Sequence, residues 1–150
     1  MVRFRSILAA VLAVILIVFV IGSYPAEAAK AKAPYTYTPE QLEQINRSTA
    51  DLQELRDRLL ELPPLIQQND WVDVKNFIHG PLGELRAKMV RLSRNLAPDA
   101  QKAATKTAKD VFGHLIAIDE AANSLDSTKA FRNYNELLKD FDAFFQLIPA

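Results

Sequence analysis

Asp110 and His114 are the side chains whose types and spacing best suit metal coordination. They lie four residues apart on a predicted helix, so a carboxylate and an imidazole share one helix face. Such a pair can hold a surface metal ion at two points, whereas structural and catalytic zinc sites use three or four protein ligands. We therefore predict at most weak metal binding at Asp110 and His114.

The sequence patterns that mark catalytic or cofactor sites are missing. Neither His79 nor His114 follows a glutamate in the Glu-x-x-His pattern of di-iron bundles, and His114 lies on the flank of its predicted helix rather than on the apolar side. The sequence has no nucleophile elbow, no His-Glu-x-x-His motif, no phosphate-binding glycine loop and no cysteine. We predict that the protein is not an enzyme and binds no cofactor.

Basic side chains form two rows, one near the end of the second predicted helix and one along the third. The rows are Arg86, Arg91 and Arg94, and Lys102, Lys106 and Lys109. One interpretation is a solvated face, with the arginines favourably placed at the negative end of a helix dipole. The other is a docking surface for an acidic protein, in which these charges orient the partner more than they supply affinity.

Apolar residues at helical spacing predict the elements that position these side chains. Between Trp71 and Leu96 an apolar stripe, meaning apolar residues three or four apart on one helix face, passes through Gly80-Pro81 without losing phase. Proline lacks an amide hydrogen and disfavours a helix interior. The unbroken phase predicts one long helix with a bend at Pro81, and the alternative is two shorter helices that meet at a turn.

Three further stripes surround that segment. The first helix is predicted to start at Thr38, which can cap it, with Pro39 at the first helical position and Gln41 three residues after the cap. Pro63-Pro64 is predicted to stop it. Asp70 is expected to cap the second helix, Pro98 to start the third, and Ser127 to cap the fourth. Four stripes joined by short connections predict an all-α fold, an up-down-up-down four-helix bundle over residues 38–150. The stripes of the third and fourth helices are Ala104, Ala108, Val111, Leu115, Ile118, Ala122 and Leu125, and Phe131, Tyr134, Leu138, Phe141, Phe145 and Ile148, flanked by Leu137 and Phe144.

The first residues of the chain have the features of an export signal. Two arginines precede an apolar run, which ends near Ala26-Glu27-Ala28. This pattern predicts a signal peptide over residues 1–28 that is cleaved after Ala28, followed by a flexible arm over residues 29–37. The alternative is an uncleaved membrane anchor, but the apolar run is slightly short for a span.

Charge excludes one class of partner. The full chain carries eighteen basic and eighteen acidic side chains, and removal of the signal leaves sixteen and seventeen, a formal net charge of −1. Because phosphate binding needs a strongly basic face, this balance argues against nucleic acid as the partner.

The sequence resembles the PsbQ family of extrinsic photosystem II subunits, in its cyanobacterial form. The resemblance extends over roughly residues 38–149 and is strongest in the segments WVDVKNFIHGPLGELR (71–86) and NYNELLKDFDAFFQLIP (133–149). It implies a non-catalytic protein of the thylakoid lumen, peripheral to the membrane, which docks on lumenal photosystem II subunits. It also implies a role in stabilising the oxygen-evolving manganese–calcium cluster and retaining its ions.

One departure from the family bears on membrane attachment. Many cyanobacterial members carry a lipid on a cysteine at the end of the apolar run, and this chain has Ser23 there. Without a thiol no lipid can be attached, so we expect membrane association through the protein partner rather than through a lipid anchor. A periplasmic helical adaptor or a weak metal-binding protein is the alternative function.

Overall fold

The structure, a computed structural model, describes residues 35–149 of the chain. The predicted signal peptide and most of the predicted arm lie outside these residues. The described part consists of helices joined by short turns and contains no strand, which confirms the all-α prediction for residues 35–149. Its α-helices are α1 (Pro39–Arg58), α2 (Leu62–Gln67), α3 (Trp71–His79), α4 (Leu85–Asn95), α5 (Pro98–Ser124) and α6 (Ser127–Phe145), and a 3-10 turn (Leu59–Glu61) joins α1 to α2.

Helix α1 begins as the sequence predicts. The Thr38 hydroxyl accepts a hydrogen bond from the Gln41 amide at 3.2 Å, and the Gln41 side chain accepts one from the Thr38 amide at 2.9 Å. Pro39 occupies the first helical position, where its missing N–H leaves no hydrogen bond unmade. This reciprocal capping box fixes where the apolar stripe of α1 starts.

The prediction that Pro63-Pro64 stops the first helix is wrong. The backbone tightens into the 3-10 turn and then continues as α2, whose first turn holds both prolines. Proline is tolerated there because the first amides of a helix have no intrahelical acceptor. The chain reverses only after Gln67, at Asn69, whose φ of 56° lies in the left-handed region.

The prediction of one continuous helix over residues 71–96 is also wrong, and the alternative of two helices is right. Helix α3 ends at His79 and α4 starts at Leu85, with turn residues between them. Pro81 has no amide hydrogen to donate to the Phe77 carbonyl. That carbonyl accepts instead from the Leu82 amide at 3.3 Å, a hydrogen bond that spans five residues rather than the four of an α-helix. The two helices nevertheless bury a single stripe, with Ile78 at 9% and Leu85 at 0% exposure.

Residues at the α5–α6 junction take conformations that the periodicity does not predict. Leu125 ends α5 in the left-handed region, with φ of 56°, and its side chain is 66% exposed rather than buried as the stripe predicts. The cap of α6 is Asp126, whose carboxylate accepts from the Lys129 amide at 2.8 Å, so the prediction of Ser127 as cap is wrong. Ser127 instead donates to Asn69 Oδ1 at 3.0 Å and links this junction to the α2–α3 turn.

The core combines small residues on α5 with large ones on α6. Helices α5 and α6 pack against each other more extensively than any other pair. The buried residues of α5 are Ala104, Ala108, Val111, Leu115, Ile118, Ala121 and Ala122, and those of α6 are Ala130, Tyr134, Leu137, Phe141 and Phe144. The small side chains let the larger ones approach, which is how a close-packed interior is filled without voids.

Three neighbouring pairs of segments run antiparallel, because residues later in one segment contact residues earlier in the other. Between α5 and α6 the contacts are Glu120–Lys129 and His114–Asp140. Between α3 and α5 they are Lys75–Asn123 and His79–Asp119. Asp51 of α1 contacts Lys88 of α4, and Tyr37, just before α1, contacts Ala97, just after α4. Among the helices described, none is both long enough and apolar enough to span a lipid bilayer.

Candidate docking surface

The three lysines of the predicted second row lie on the outward face of α5. Lys102, Lys106 and Lys109 are all exposed, opposite the buried alanine side of the same helix. Lys106 Nζ donates to Asp110 Oδ2 at 2.6 Å, and this hydrogen bond together with the charge of Asp110 raises the pKa of Lys106 above its ordinary value. Within residues 35–149, Lys102 and Lys109 form no ion pair. Their charges are therefore available to a partner.

The arginine row does not form one face. The Arg86 guanidinium lies 5.7 Å from the centroid of the ring of Phe112, which is three residues after Lys109 on α5. Arg91 lies about 140° around the helix axis from Arg86, since each residue of an α-helix advances by about 100°. Arg94, about 80° from Arg86, points away from the core and is exposed. Of the six predicted docking residues, the three lysines share one face of α5, and Arg86 contacts the same helix at Phe112.

Acidic side chains of the described chain neutralise part of the basic surface elsewhere. Lys88 of α4 contacts Asp51 of α1 at 3.1 Å, and Arg56 of α1 makes a forked contact with Asp142 of α6 at 3.0 to 3.4 Å. These pairs link helices, but they are exposed or half-exposed and each stabilises the fold only modestly. These contacts engage Lys88 and Arg56, whereas Lys102 and Lys109 of α5 form no ion pair within residues 35–149.

The two predicted metal ligands have different partners in the structure. Asp110 accepts from Lys106, whereas the His114 ring lies between Asn133 Oδ1, 3.1 Å from Nδ1, and Asp140 Oδ2, 3.2 Å from Nε2. Within the described residues, no group of three or more His, Cys, Asp or Glu side chains is arranged to hold a metal ion. The weak site at Asp110 and His114 stays a prediction, and the carboxylate next to His114 is that of Asp140.

His79 also has a partner that sequence spacing missed. Its Nε2 lies 3.0 Å from Asp119 Oδ1, and the ring is 66% exposed at the end of α3. Both histidines contact residues on another helix, Asp119 being 40 positions away and Asn133 being 19 away. No short-range pattern could have identified these pairs. In both cases the ring contacts an oxygen acceptor that ties two helices together.

An apolar residue on the outward face of α5 was likewise missed. Ile116 is 60% exposed, although its neighbour Leu115 is buried. It lies seven residues after Lys109, on the same side of the helix. The signal was present in the sequence, because Ile116 falls outside the predicted stripe of α5, and an isoleucine there must face outward.

Comparisons with known proteins agree with one another. Residues 4–149 match the model of the family described as PsbQ, oxygen evolving enhancer protein 3. The chain is also similar to a protein named CyanoQ from Synechocystis sp. (strain ATCC 27184 / PCC 6803 / Kazusa). The two are 39% identical over 148 residues, which cover 98% of this chain and 97% of that protein.

Proposed function

This chain belongs to the PsbQ family, and we propose that it is a non-catalytic extrinsic subunit which docks on the lumenal face of photosystem II and stabilises its oxygen-evolving manganese–calcium cluster. The observation that carries the proposal is the family match, which extends over almost the whole chain. No residue of this chain needs to touch the cluster. A rigid helical body that covers neighbouring subunits slows the loss of ions and the access of reductants.

The fold suits such a role. We propose that α1 with α2, α3 with α4, α5 and α6 form an up-down-up-down four-helix bundle over residues 38–150. The antiparallel contacts support this arrangement, as does the single buried stripe that α3 and α4 share. A closely packed bundle presents fixed side chains to a partner and loses little conformational freedom when it binds.

Export and membrane attachment follow from the N-terminal sequence. We propose that residues 1–28 are a cleaved signal peptide, that residues 29–37 form an arm, and that the protein lies in the thylakoid lumen, peripheral to the membrane. Attachment comes from photosystem II rather than from a lipid, because Ser23 offers no thiol. Intact-mass measurement of the native protein tests this: a chain that begins at Ala29 without a lipid is expected, and a retained signal or an added diacylglycerol would contradict it.

The proposed contact is the basic surface, with Lys102, Lys106 and Lys109 at its centre and Arg86 beside them, and Arg91 and Arg94 as the outer members. Exposed ion pairs contribute about 0.2–1 kcal/mol each, so loss of three of them weakens binding by roughly 3- to 150-fold. Changing the three lysines to glutamate should reduce rebinding to photosystem II depleted of this subunit. Helicity should stay nearly unchanged, and the melting temperature should fall only slightly, because Lys106→Glu replaces the attraction to Asp110 by a repulsion between like charges on one helix face.

A matched control separates a local contact from a net-charge effect. Arg47, Arg132 and Lys139 are exposed on α1 and α6, and changing them to glutamate alters the net charge equally. We expect this control to rebind nearly as well as the wild type. Rebinding that survives the lysine reversal and the reversal of Arg86, Arg91 and Arg94 would place the contact on another face.

Isolation of the tagged protein from thylakoids tests the function itself. Co-isolation with photosystem II is the expected result. Recovery of the protein only as a free periplasmic species would overturn the proposal and favour a helical adaptor.

A further inference from the structure

The link between α5 and α6 places a leucine where the end of a helix most often has a glycine. Leu125 follows the last turn of α5 with φ of 56° and ψ of 34°, in the left-handed region. The next amide, that of Asp126, donates to the Ala121 carbonyl at 2.9 Å, which is the hydrogen bond that closes a helix end of this kind. Glycine suits the position because it has no Cβ atom, whereas leucine is strained there. The Leu125 side chain is also 66% exposed, so packing does not offset the strain.

The sequence contains no helix breaker at this reversal. Over residues 99–148 it has no proline, and Gly113 is the only glycine. Residues 124–127 are therefore able to continue α5 directly into α6 as one helix. At about 100° per residue, Ala122 and Ala130 would lie about 80° apart around that helix, so the buried parts of α5 and α6 lie on the same side of it. The reversed and the straight form of the link are thus both compatible with the sequence.

The packing of α5 against α6 shows what would cover α6 if the link straightened. These two helices pack against each other more extensively than any other pair. Phe141 and Phe144 of α6 are 0% exposed, so an α6 that leaves its own core puts large apolar area into water. The surface that it leaves contains small residues of α5, such as Ala104 and Ala108, and fits the side chains of α6. A second copy of this chain, opened in the same way, supplies an α6 that restores these contacts.

We propose that this protein forms a domain-swapped dimer by exchange of α6. In each chain α5 and α6 join into one helix over residues 98–145, and α6 packs against α5 of the second copy. The contact between His114 and Asp140 then forms between two chains instead of within one. Straightening removes the left-handed conformation of Leu125 from both chains, and a short strained link of this kind favours such an exchange.

The cap of α6 opposes the exchange. The Asp126 carboxylate accepts from the Lys129 amide at 2.8 Å, and in one continuous helix that amide bonds to a backbone carbonyl instead. Association of two chains also costs translational and rotational freedom, so the fraction of dimer rises with protein concentration. The exchange leaves the lysine row on the outward face of α5 and does not depend on the proposed docking function.

Two variants of the link and one control test the cause of the exchange. Leu125→Gly removes the strain of the reversed link and weakens the straight helix, so dimerisation should weaken by roughly tenfold per link and about 100-fold for the dimer. Leu125→Ala is the matched control, because alanine keeps the Cβ atom and the strain but loses most of the exposed side chain. It should dimerise about as strongly as the wild type. Asp126→Ala removes the cap that only the reversed link uses and should strengthen dimerisation roughly tenfold.

The experiment refolds the purified protein from denaturant at low and at high concentration and measures its mass by size-exclusion chromatography with light scattering. We expect a monomer at low concentration and a growing fraction of dimer at high concentration. The two species should interconvert slowly, because α6 must leave the core before it can exchange.

A chemical cross-link distinguishes exchange from side-by-side association. The chain has no cysteine, so His114→Cys together with Asp140→Cys introduces the only thiols. In the reversed form these side chains meet, with His114 Nε2 3.2 Å from Asp140 Oδ2, whereas one continuous helix separates the two positions by about 39 Å. A short bismaleimide linker should therefore join two chains in the purified dimer and stay within one chain in the monomer.

Any of four results would overturn this inference. A linker that stays within one chain of the dimer would show side-by-side association. Equal dimerisation of Leu125→Gly and the wild type would show that strain is not the cause, and loss of the dimer in Leu125→Ala would assign it to an apolar contact of the leucine. Monomers alone at the highest concentration, for the wild type and Asp126→Ala, would exclude the exchange. None of these results concerns rebinding to photosystem II, so the proposed function stands or falls separately.

Discussion

Replacing Gly80 with alanine should destabilise the protein, because the backbone at the end of α3 leaves no room for a side chain. The added Cβ would lie 2.8 Å from the Asn76 carbonyl oxygen, closer than real Cβ atoms come. That oxygen accepts the Gly80 amide at 2.8 Å, so it cannot retreat without stretching a hydrogen bond. Overpacking of this kind costs about 1–3 kcal/mol, and a weakened hydrogen bond accounts for about 0.5–1.5 kcal/mol of such a loss.

Thermal unfolding followed by circular dichroism measures this loss. For a domain of this size, 1 kcal/mol shifts the melting temperature by about 4 °C, so Gly80→Ala should melt roughly 4–12 °C below the wild type. Gly83→Ala should lose less, since its Cβ would lie 3.0 Å from the His79 carbonyl oxygen. Gly113→Ala is the matched control without a contact, and we expect it to gain about 0.5–1 kcal/mol.

The order of the three variants is the test of the reasoning. Gly113→Ala should be the most stable, then Gly83→Ala, then Gly80→Ala. If Gly80→Ala melts at the wild-type temperature or above it, the turn between α3 and α4 has space for a side chain, and its glycine is not explained by a steric limit. Chemical denaturation with urea checks that the ranking does not depend on the temperature of unfolding.

Three other substitutions probe the core, the α5–α6 junction and the effect of pH. Phe141 is 0% exposed, and Phe141→Ala should lose about 3–5 kcal/mol in urea unfolding, against a smaller loss for Phe145→Ala at a partly buried position. Leu125→Gly should increase the free energy of unfolding by up to about 1 kcal/mol and so raise the melting temperature. The left-handed backbone costs a leucine about 1–2 kcal/mol, and the freer unfolded chain of the glycine variant offsets part of that gain. A lower melting temperature would contradict this. Burial raises the pKa of Tyr134 above its ordinary value, so the folded state favours the neutral phenol. The stability that the neutral Tyr134 side chain contributes is complete below about pH 10 and is lost as pH rises through the pKa of Tyr134 in the folded state. Tyr134→Phe should therefore unfold at higher pH than the wild type in an alkaline titration followed by circular dichroism.

Local signals predicted the helices and most of the core. The capping box at Thr38 and the carboxylate cap at Asp70 act within three residues, so their outcome is readable from sequence. The apolar stripe of α3 and α4 is buried from Val74 to Leu96 as predicted. Each of these signals depends on residues that are close together in the chain.

The break at Pro81 was hidden because periodicity cannot distinguish a bent helix from this turn. Ile78 and Leu85 are seven residues apart, which is close to two helical turns, and the turn returns the chain to the same side of the core. The sequence therefore predicted which side chains of α3 and α4 are buried, although the continuous helix from which this was argued does not form. Pro63 was misjudged for a related reason, since proline disfavours a helix interior but is well tolerated in a first turn.

The candidate surface was only half predictable. The lysine row follows from spacing along one helix, and the structure keeps it on one face. The separation of Arg91 from Arg86 follows from helix geometry, but the contact between Arg86 and Phe112 depends on how α4 lies against α5. The histidine partners depend on tertiary packing in the same way, and a single sequence contains no pattern for them.

The extensive packing of α5 against α6 has a consequence for how the chain folds. These helices are consecutive and joined at Leu125 and Asp126, so their contacts close short loops and the entropy lost in closing them is small. The ion pair of Arg56 with Asp142 closes a loop across 86 positions, so we expect it to form later in folding than the α5–α6 contacts. We expect the α5–α6 hairpin to be formed in the folding transition state, with α1 added afterwards. Mutations in the hairpin, such as Ala108→Gly, should slow folding, whereas Ile45→Val in α1 should mainly speed unfolding, and stopped-flow kinetics that show the reverse would place the nucleus elsewhere.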